Sequence, residues 1–137
     1  MTYVYEIPFP PVPWASHRGY GRKSFNPHFK EKEAAQWHLK KQHGSRPLLT
    51  GTIRADFFFE MPIPKSMPKK LLKRIEEGEK IFHSKRPDAT NLRKHCEDCL
   101  TGTVWVDDGQ VACGETQKYY STTPRTLIHI QELESGH

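Results

Sequence analysis

Two stretches of the 137-residue chain concentrate side chains able to do chemistry. The first is Lys85-Arg86-Pro87-Asp88-Ala89-Thr90-Asn91-Leu92-Arg93-Lys94. The second is Trp105-Val106-Asp107-Asp108-Gly109-Gln110-Val111. A carboxylate at a helix start and two in tandem at a strand end converge if the helix packs beside the second segment. Such carboxylates suit a hard cation like Mg²⁺, which keeps several waters and bridges to a phosphate. An ion held this way activates a water and stabilises the leaving oxygen in phosphodiester cleavage. Lys94, two turns into the same helix on a polar stripe with Asn91, His95 and Asp98, would neutralise charge on a pentacoordinate phosphorane. The same residues also permit a plainer reading, in which Asp88 only caps a helix and Asp107-Asp108-Gly109 only makes a turn.

Other constellations compete for attention. Residues 14–26 form a Gly-containing loop laced with Trp14, His17, Arg18, Tyr20, Arg22, Lys23 and Phe25. Its cations suit phosphates and its aromatic rings suit unpaired or splayed bases. Lys85, Arg86 and Arg93 flank the proposed metal site, where phosphate contact is the better reading. Lys69, Lys70, Lys73 and Arg74 share a helical face but precede three glutamates, so they read first as a solvated face and second as a DNA contact. Cys96-x-x-Cys99, with His83, His95 and Cys113 elsewhere, invites a zinc-stabilised interaction module. Both cysteines fall on the apolar stripe with Leu92 and Leu100, so buried thiols are the expectation. His83 orders the loop before Asp88 or faces solvent, and a catalytic role is its lesser reading.

The elements that must position these residues are legible in part. Tyr3–Ile7 predicts a strand, ended by Pro8, Pro10, Pro11 and Pro13. Asn26-Pro27 predicts a helix start, with the helix running to about His43 and Gly44. Apolar residues at Ile53, Ala55, Phe57, Phe59 and Met61 alternate with Thr52, Arg54, Asp56, Phe58 and Glu60, which predicts a strand buried on one face. A short basic helix over 68–77 follows, then a helix from near Asp88 to before Gly102. Val104–Val106 and Gln110–Tyr119 predict two strands joined at Asp107-Asp108-Gly109 by a hairpin turn. Arg125–Leu133 is the last strand. The order β-α-β-α-α-β-β-β predicts an α/β (α+β) fold: a small mixed β-sheet flanked by helices, in one domain spanning 1–137.

Composition narrows the classes. The net charge of +5 is uneven, with a surplus of six positive charges in residues 1–54 and a deficit of two in residues 81–137. That gradient suits a polyanionic partner together with a separate carboxylate cluster, though charge alone equally fits a solvated surface. Adding glycine and leaving out tyrosine, as the usual count does, about 38% of residues are apolar against the ~45–50% typical of soluble domains, so burial shared with a second subunit is plausible. No apolar run reaches the ~18 residues of a membrane span. Nothing at the start of the chain resembles a secretion signal, and three cysteines suit a reduced, cytoplasmic setting.

The segment His83-x-x-Arg86-Pro87-Asp88-x-x-Asn91-Leu92-x-Lys94, then Asp98-x-Leu100-x-Gly102, Trp105-x-Asp107-Asp108-x-Gln110-Val111 and Lys118-Tyr119, resembles the RusA family of Holliday junction resolvases. Weaker similarity reaches Pro11-Val12-Pro13, the basic loop and Phe25-Asn26-Pro27. The resemblance implies a small homodimeric, Mg²⁺-dependent endonuclease making paired nicks in four-way junction or branched DNA, cytoplasmic and nucleoid-associated, with no small-molecule cofactor. By the same resemblance Asp88, Asp107 and Asp108 are metal ligands. Asp88, Asp108 and Lys94 are catalytic, and Arg18, Arg22, Lys23, Lys85, Arg86, Asn91, Arg93 and Lys118 contact DNA. One position departs: Thr90 stands where the family carries a second aspartate, removing a full negative charge. Either Asp107 or Glu97 compensates, the metal binds more weakly, or the protein binds junctions without cutting them. Paired cuts in a two-fold junction need two sites related by a two-fold axis, which independently favours a homodimer.

Overall fold

The alternating run at residues 53–61 becomes the central strand of the sheet. The structure, a computed structural model, describes residues 2–14, 18–20, 23–25 and 28–133. In chain order its elements are β1 (Thr2–Ile7), β2 (Arg18–Tyr20), β3 (Lys23–Phe25), α1 (Phe29–His43), β4 (Ile53–Met61), α2 (Lys69–Glu76), α3 (Ala89–Leu100), a one-turn 3₁₀ helix (Asp108–Gln110), β5 (Val111–Cys113), β6 (Thr116–Tyr120) and β7 (Arg125–Glu132). β7 lies between β1 and β4 and is antiparallel to both. On the other side of β4, β5 and β6 pair with it in parallel. The sheet is therefore mixed, as expected.

Register explains the core. Tyr5 lies opposite Ile128, which lies opposite Phe57, and Ile7, Thr126 and Phe59 make the next row. Side chains two apart share a face, so these rows form one buried surface. Ala35 and Leu39 of α1 and Leu92, Cys96, Cys99 and Leu100 of α3 complete the same cluster. The two cysteines are buried free thiols, as their stripe predicts. No helix among the described residues is long and apolar enough to cross a membrane.

Four details differ from the sequence reading. His95, placed on the polar stripe of α3, is buried, with its Nε2 3.6 Å from the Cys99 sulfur. The basic loop contains a two-stranded ribbon, β2 paired with β3, while residues 15–17, 21–22 and 26–27 lie outside the described residues. That places Arg22 and the Asn26-Pro27 helix start beyond description. The Asp-Gly hairpin does not form, because the arms around it pair elsewhere. Val104–Val106 is not a strand: Leu49 N–H donates to Val104 O (2.8 Å) and Val106 N–H to Leu49 O (3.3 Å), while Val111–Cys113 joins β4.

Between β5 and β6 the chain presses against β4. A Cβ at Gly114 would lie 1.8 Å from the Ala55 carbonyl oxygen, and its φ is +144°. Only glycine fits both demands.

Candidate active site

Asp88 takes the N-cap position of α3 with extended backbone (φ −63°, ψ 145°). Aspartate is favoured there because its carboxylate ordinarily accepts from the first free N–H groups. Here it makes no cap hydrogen bond and is exposed, so it is not spent on holding the helix. It lines a cleft of about 730 Å³ with His83, Arg86 and Asn91. The remaining lining is Pro87 and an apolar group from two other segments: Pro11, Pro13, Trp14, Met61 and Pro62.

The approach to Asp88 is tied to the sheet. Phe82 bridges to Tyr119, and the His83 N–H donates to Lys118 O (3.0 Å). The Lys118 ammonium donates to Pro87 O (2.9 Å) and to Lys85 O. Lys118, expected at DNA, thus grips the backbone just before Asp88. The His83 ring meets Tyr120 edge-on at 5.0 Å, and its buried Nδ1 has no hydrogen-bond partner among the described residues. Burial lowers the His83 pKa, and the charges of Lys118 and Lys85 lower it further, so the ring is neutral at neutral pH.

Asn91 contributes through its backbone: its carbonyl accepts from Trp14 N–H (2.8 Å), hanging the segment before the basic loop on α3. One turn on, the Lys94 ammonium rests 3.5 Å from the centroid of the Trp14 ring. Lys94 is exposed but is not among the residues lining the cleft. Arg93 turns toward the sheet, with Nη1 donating to Thr116 Oγ1 (2.8 Å), Nε to Glu97 Oε2 (3.3 Å), and its guanidinium over the Phe57 ring at 4.7 Å. Lys85 and Arg86 are exposed, and Arg18 and Lys23 fall on β2 and β3.

The tandem aspartates divide their work. Asp107 caps the 3₁₀ turn, accepting from Gly109 N–H (3.4 Å). Gln110 Oε1 accepts from Val106 N–H (3.0 Å) and Asp107 N–H (2.8 Å), while its Nε2 donates to Leu49 O (3.0 Å) and Gly51 O (2.9 Å). That reciprocal pairing is a capping box, extended here to a neighbouring segment. Asp108 is exposed; its backbone carbonyl accepts from Val111 N–H, but its carboxylate makes no hydrogen bond or ion pair among the described residues. Its charge reaches Glu97: burial pushes the Glu97 carboxyl up, Arg93 opposes that, and Asp108 and Asp98 reinforce it.

Asp88 stands before the first turn of α3, whereas Asp108 is felt near its third. Among the described residues, no group of three His, Cys, Asp or Glu side chains is placed to hold a metal ion. The donor chemistry of Asp88 and Asp108 suits a hard cation, but the expected three-carboxylate set is not assembled. Thr90, exposed in the first turn of α3, adds no charge there. Trp14 on Lys94 and Lys118 on the 85–87 backbone are contacts that local sequence patterns do not signal. Gln110 was visible as a motif position, but its cross-chain role was not.

A mixed sheet carrying α1 and α3 on one face, with an uncapped carboxylate at a basic-flanked cleft, defines a small α+β protein suited to a phosphodiester. The chain matches the endodeoxyribonuclease RusA family over residues 8–131 and belongs to that family. It is also 31% identical over 99 residues to YqaN, an uncharacterized protein of Bacillus subtilis (strain 168), covering 71% of this chain and 69% of that protein. Membership supports a nuclease role of the Holliday junction resolvase kind, acting on branched DNA.

Proposed function

We propose that this protein is a structure-selective, Mg²⁺-dependent endonuclease that nicks four-way junction or branched DNA in pairs, as a homodimer, during recombination and repair. The observation that carries the reading is Asp88: an aspartate at a helix N-cap that does no capping and opens onto a cleft with Arg86 and Asn91. Asp88 and Asp108 are the residues we assign to the cation, with Asp107 holding Asp108 in place. A bound cation would supply an activated water and charge neutralisation at the leaving oxygen. Arg86 and Lys85 hold the DNA backbone, which positions without reading sequence. Lys94 offsets charge at the reacting phosphate. The cytoplasmic, nucleoid-associated location and the single-domain organisation belong to the same proposal.

A labelled synthetic four-way junction incubated with Mg²⁺ or with EDTA tests it. Symmetric nicks with Mg²⁺ alone, abolished by Asp108→Asn and by Asp88→Asn, are expected. A second reading, junction binding without cutting, is favoured by Thr90 and by the unassembled carboxylate set. Tight binding with no nicks under any divalent ion supports that reading. Thr90→Asp then discriminates further, since it should raise cleavage if the missing charge limits the site.

A further inference from the structure

A groove that only tracked phosphates would be lined by cations, yet half of this cleft is apolar. Pro11, Pro13 and Trp14 from one segment meet Met61 and Pro62 from the end of β4 beside the polar His83, Arg86, Asp88 and Asn91. We propose that this apolar part is a subsite for one unstacked nucleobase, with the Trp14 indole as its stacking platform. The inference rests on the reading above, that the polar part takes a phosphate of branched DNA.

Three observations support it. The volume of about 730 Å³ lies within the range that holds a small organic ligand, ample for one nucleotide. Proline rings, a methionine and an indole offer no hydrogen-bond code, so they suit the flat face common to every base rather than one base's edge. The backbone that carries the indole is also tied down, because the Trp14 main-chain N–H donates to the carbonyl of Asn91, itself part of the polar lining.

The Lys94 contact gives the subsite a consequence. The Lys94 ammonium lies over the Trp14 indole, and Trp14 lines the cleft while Lys94 does not, so a base entering the cleft and the ammonium take opposite sides of the ring. In a continuous duplex the bases stay stacked and the subsite stays empty. At a branch point a base can splay into it, so the subsite favours branched over continuous DNA.

Binding measured in EDTA tests this without cleavage. The probes are a four-way junction, a perfect duplex and a short single strand, each against wild type, Trp14→Phe and Trp14→Ala, with melting curves to confirm folding. Trp14→Ala should weaken junction and single-strand binding about tenfold and leave duplex binding unchanged, while Trp14→Phe recovers most of the loss. Equal loss on all three probes, or no loss on any, overturns the subsite. A wild type that binds junction no better than duplex, yet still loses single-strand affinity on Trp14→Ala, overturns the junction reading and leaves the subsite standing.

Discussion

Replacing Gln110 probes how the site is built. Its side-chain amide makes four hydrogen bonds, two accepted from Val106 and Asp107 and two donated to Leu49 and Gly51. Each is worth a net ~0.5–1.5 kcal/mol, and water replaces some of them at this half-exposed position. Gln110→Ala should therefore cost about 2–3 kcal/mol. For a chain of this length that is roughly 8–12 °C in Tm. Gln110→Glu is the sharper variant, because it keeps the acceptor but sets a carboxylate oxygen against two carbonyls. That environment raises the new carboxyl's pKa above its ordinary ~4.3. The added penalty is absent well below that pH and grows as pH rises through it. Urea unfolding followed by tryptophan fluorescence, to which Trp105 buried beside the turn contributes, measures both. A loss under about 0.5 kcal/mol for Gln110→Ala, or a pH-independent gap for Gln110→Glu, would refute the claim that this amide holds the aspartate turn.

Further outcomes follow from other contacts. Burial and the charges of His28 and Lys32 hold the His95 pKa down at about 4, from 6.5. The unfolded chain takes up that proton first, so stability falls as pH drops from about 6.5 to 4, by roughly 3 kcal/mol; pH-dependent unfolding of His95→Gln should lack that slope. Gly114→Ala puts a Cβ 1.8 Å from the Ala55 oxygen at positive φ, and should cost more than about 3 kcal/mol, read as loss of a cooperative melt. Lys85→Ala should lower the salt slope of DNA binding by about 0.9. Lys118→Met should leave that slope unchanged while slowing cleavage, because its ammonium is committed to the carbonyls before Asp88.

Much of the fold was legible because it rests on local periodicity. The alternation along Ile53–Met61, the apolar stripe at Leu92, Cys96, Cys99 and Leu100, and the glycine after His43 each encode one element through its neighbours. The mistakes came from pairing. Asp107-Asp108-Gly109 carries a turn signal, but whether its arms pair depends on competition from β4 and Leu49, both more than fifty residues away. His95 was misassigned for a related reason: on a helix crossing the sheet and also touching α1, the buried arc is wider than one stripe.

The candidate site divides the same way. Residue types and spacing alone set out the chemistry, carboxylates for a hard cation and lysines and arginines for phosphate, while the family resemblance marked Thr90 as standing where a further carboxylate was expected. They could not say which of those groups is free to act. Tertiary structure decided that Asp88 does not cap its helix, that Asp107 does cap its turn, and that Lys118 and Arg93 bind the protein itself. It also decided that Lys94 lies on Trp14. The physical reason is that a side chain's availability depends on whether a backbone N–H, a carbonyl or a ring from a distant segment reaches it first, and only the packed chain settles that competition.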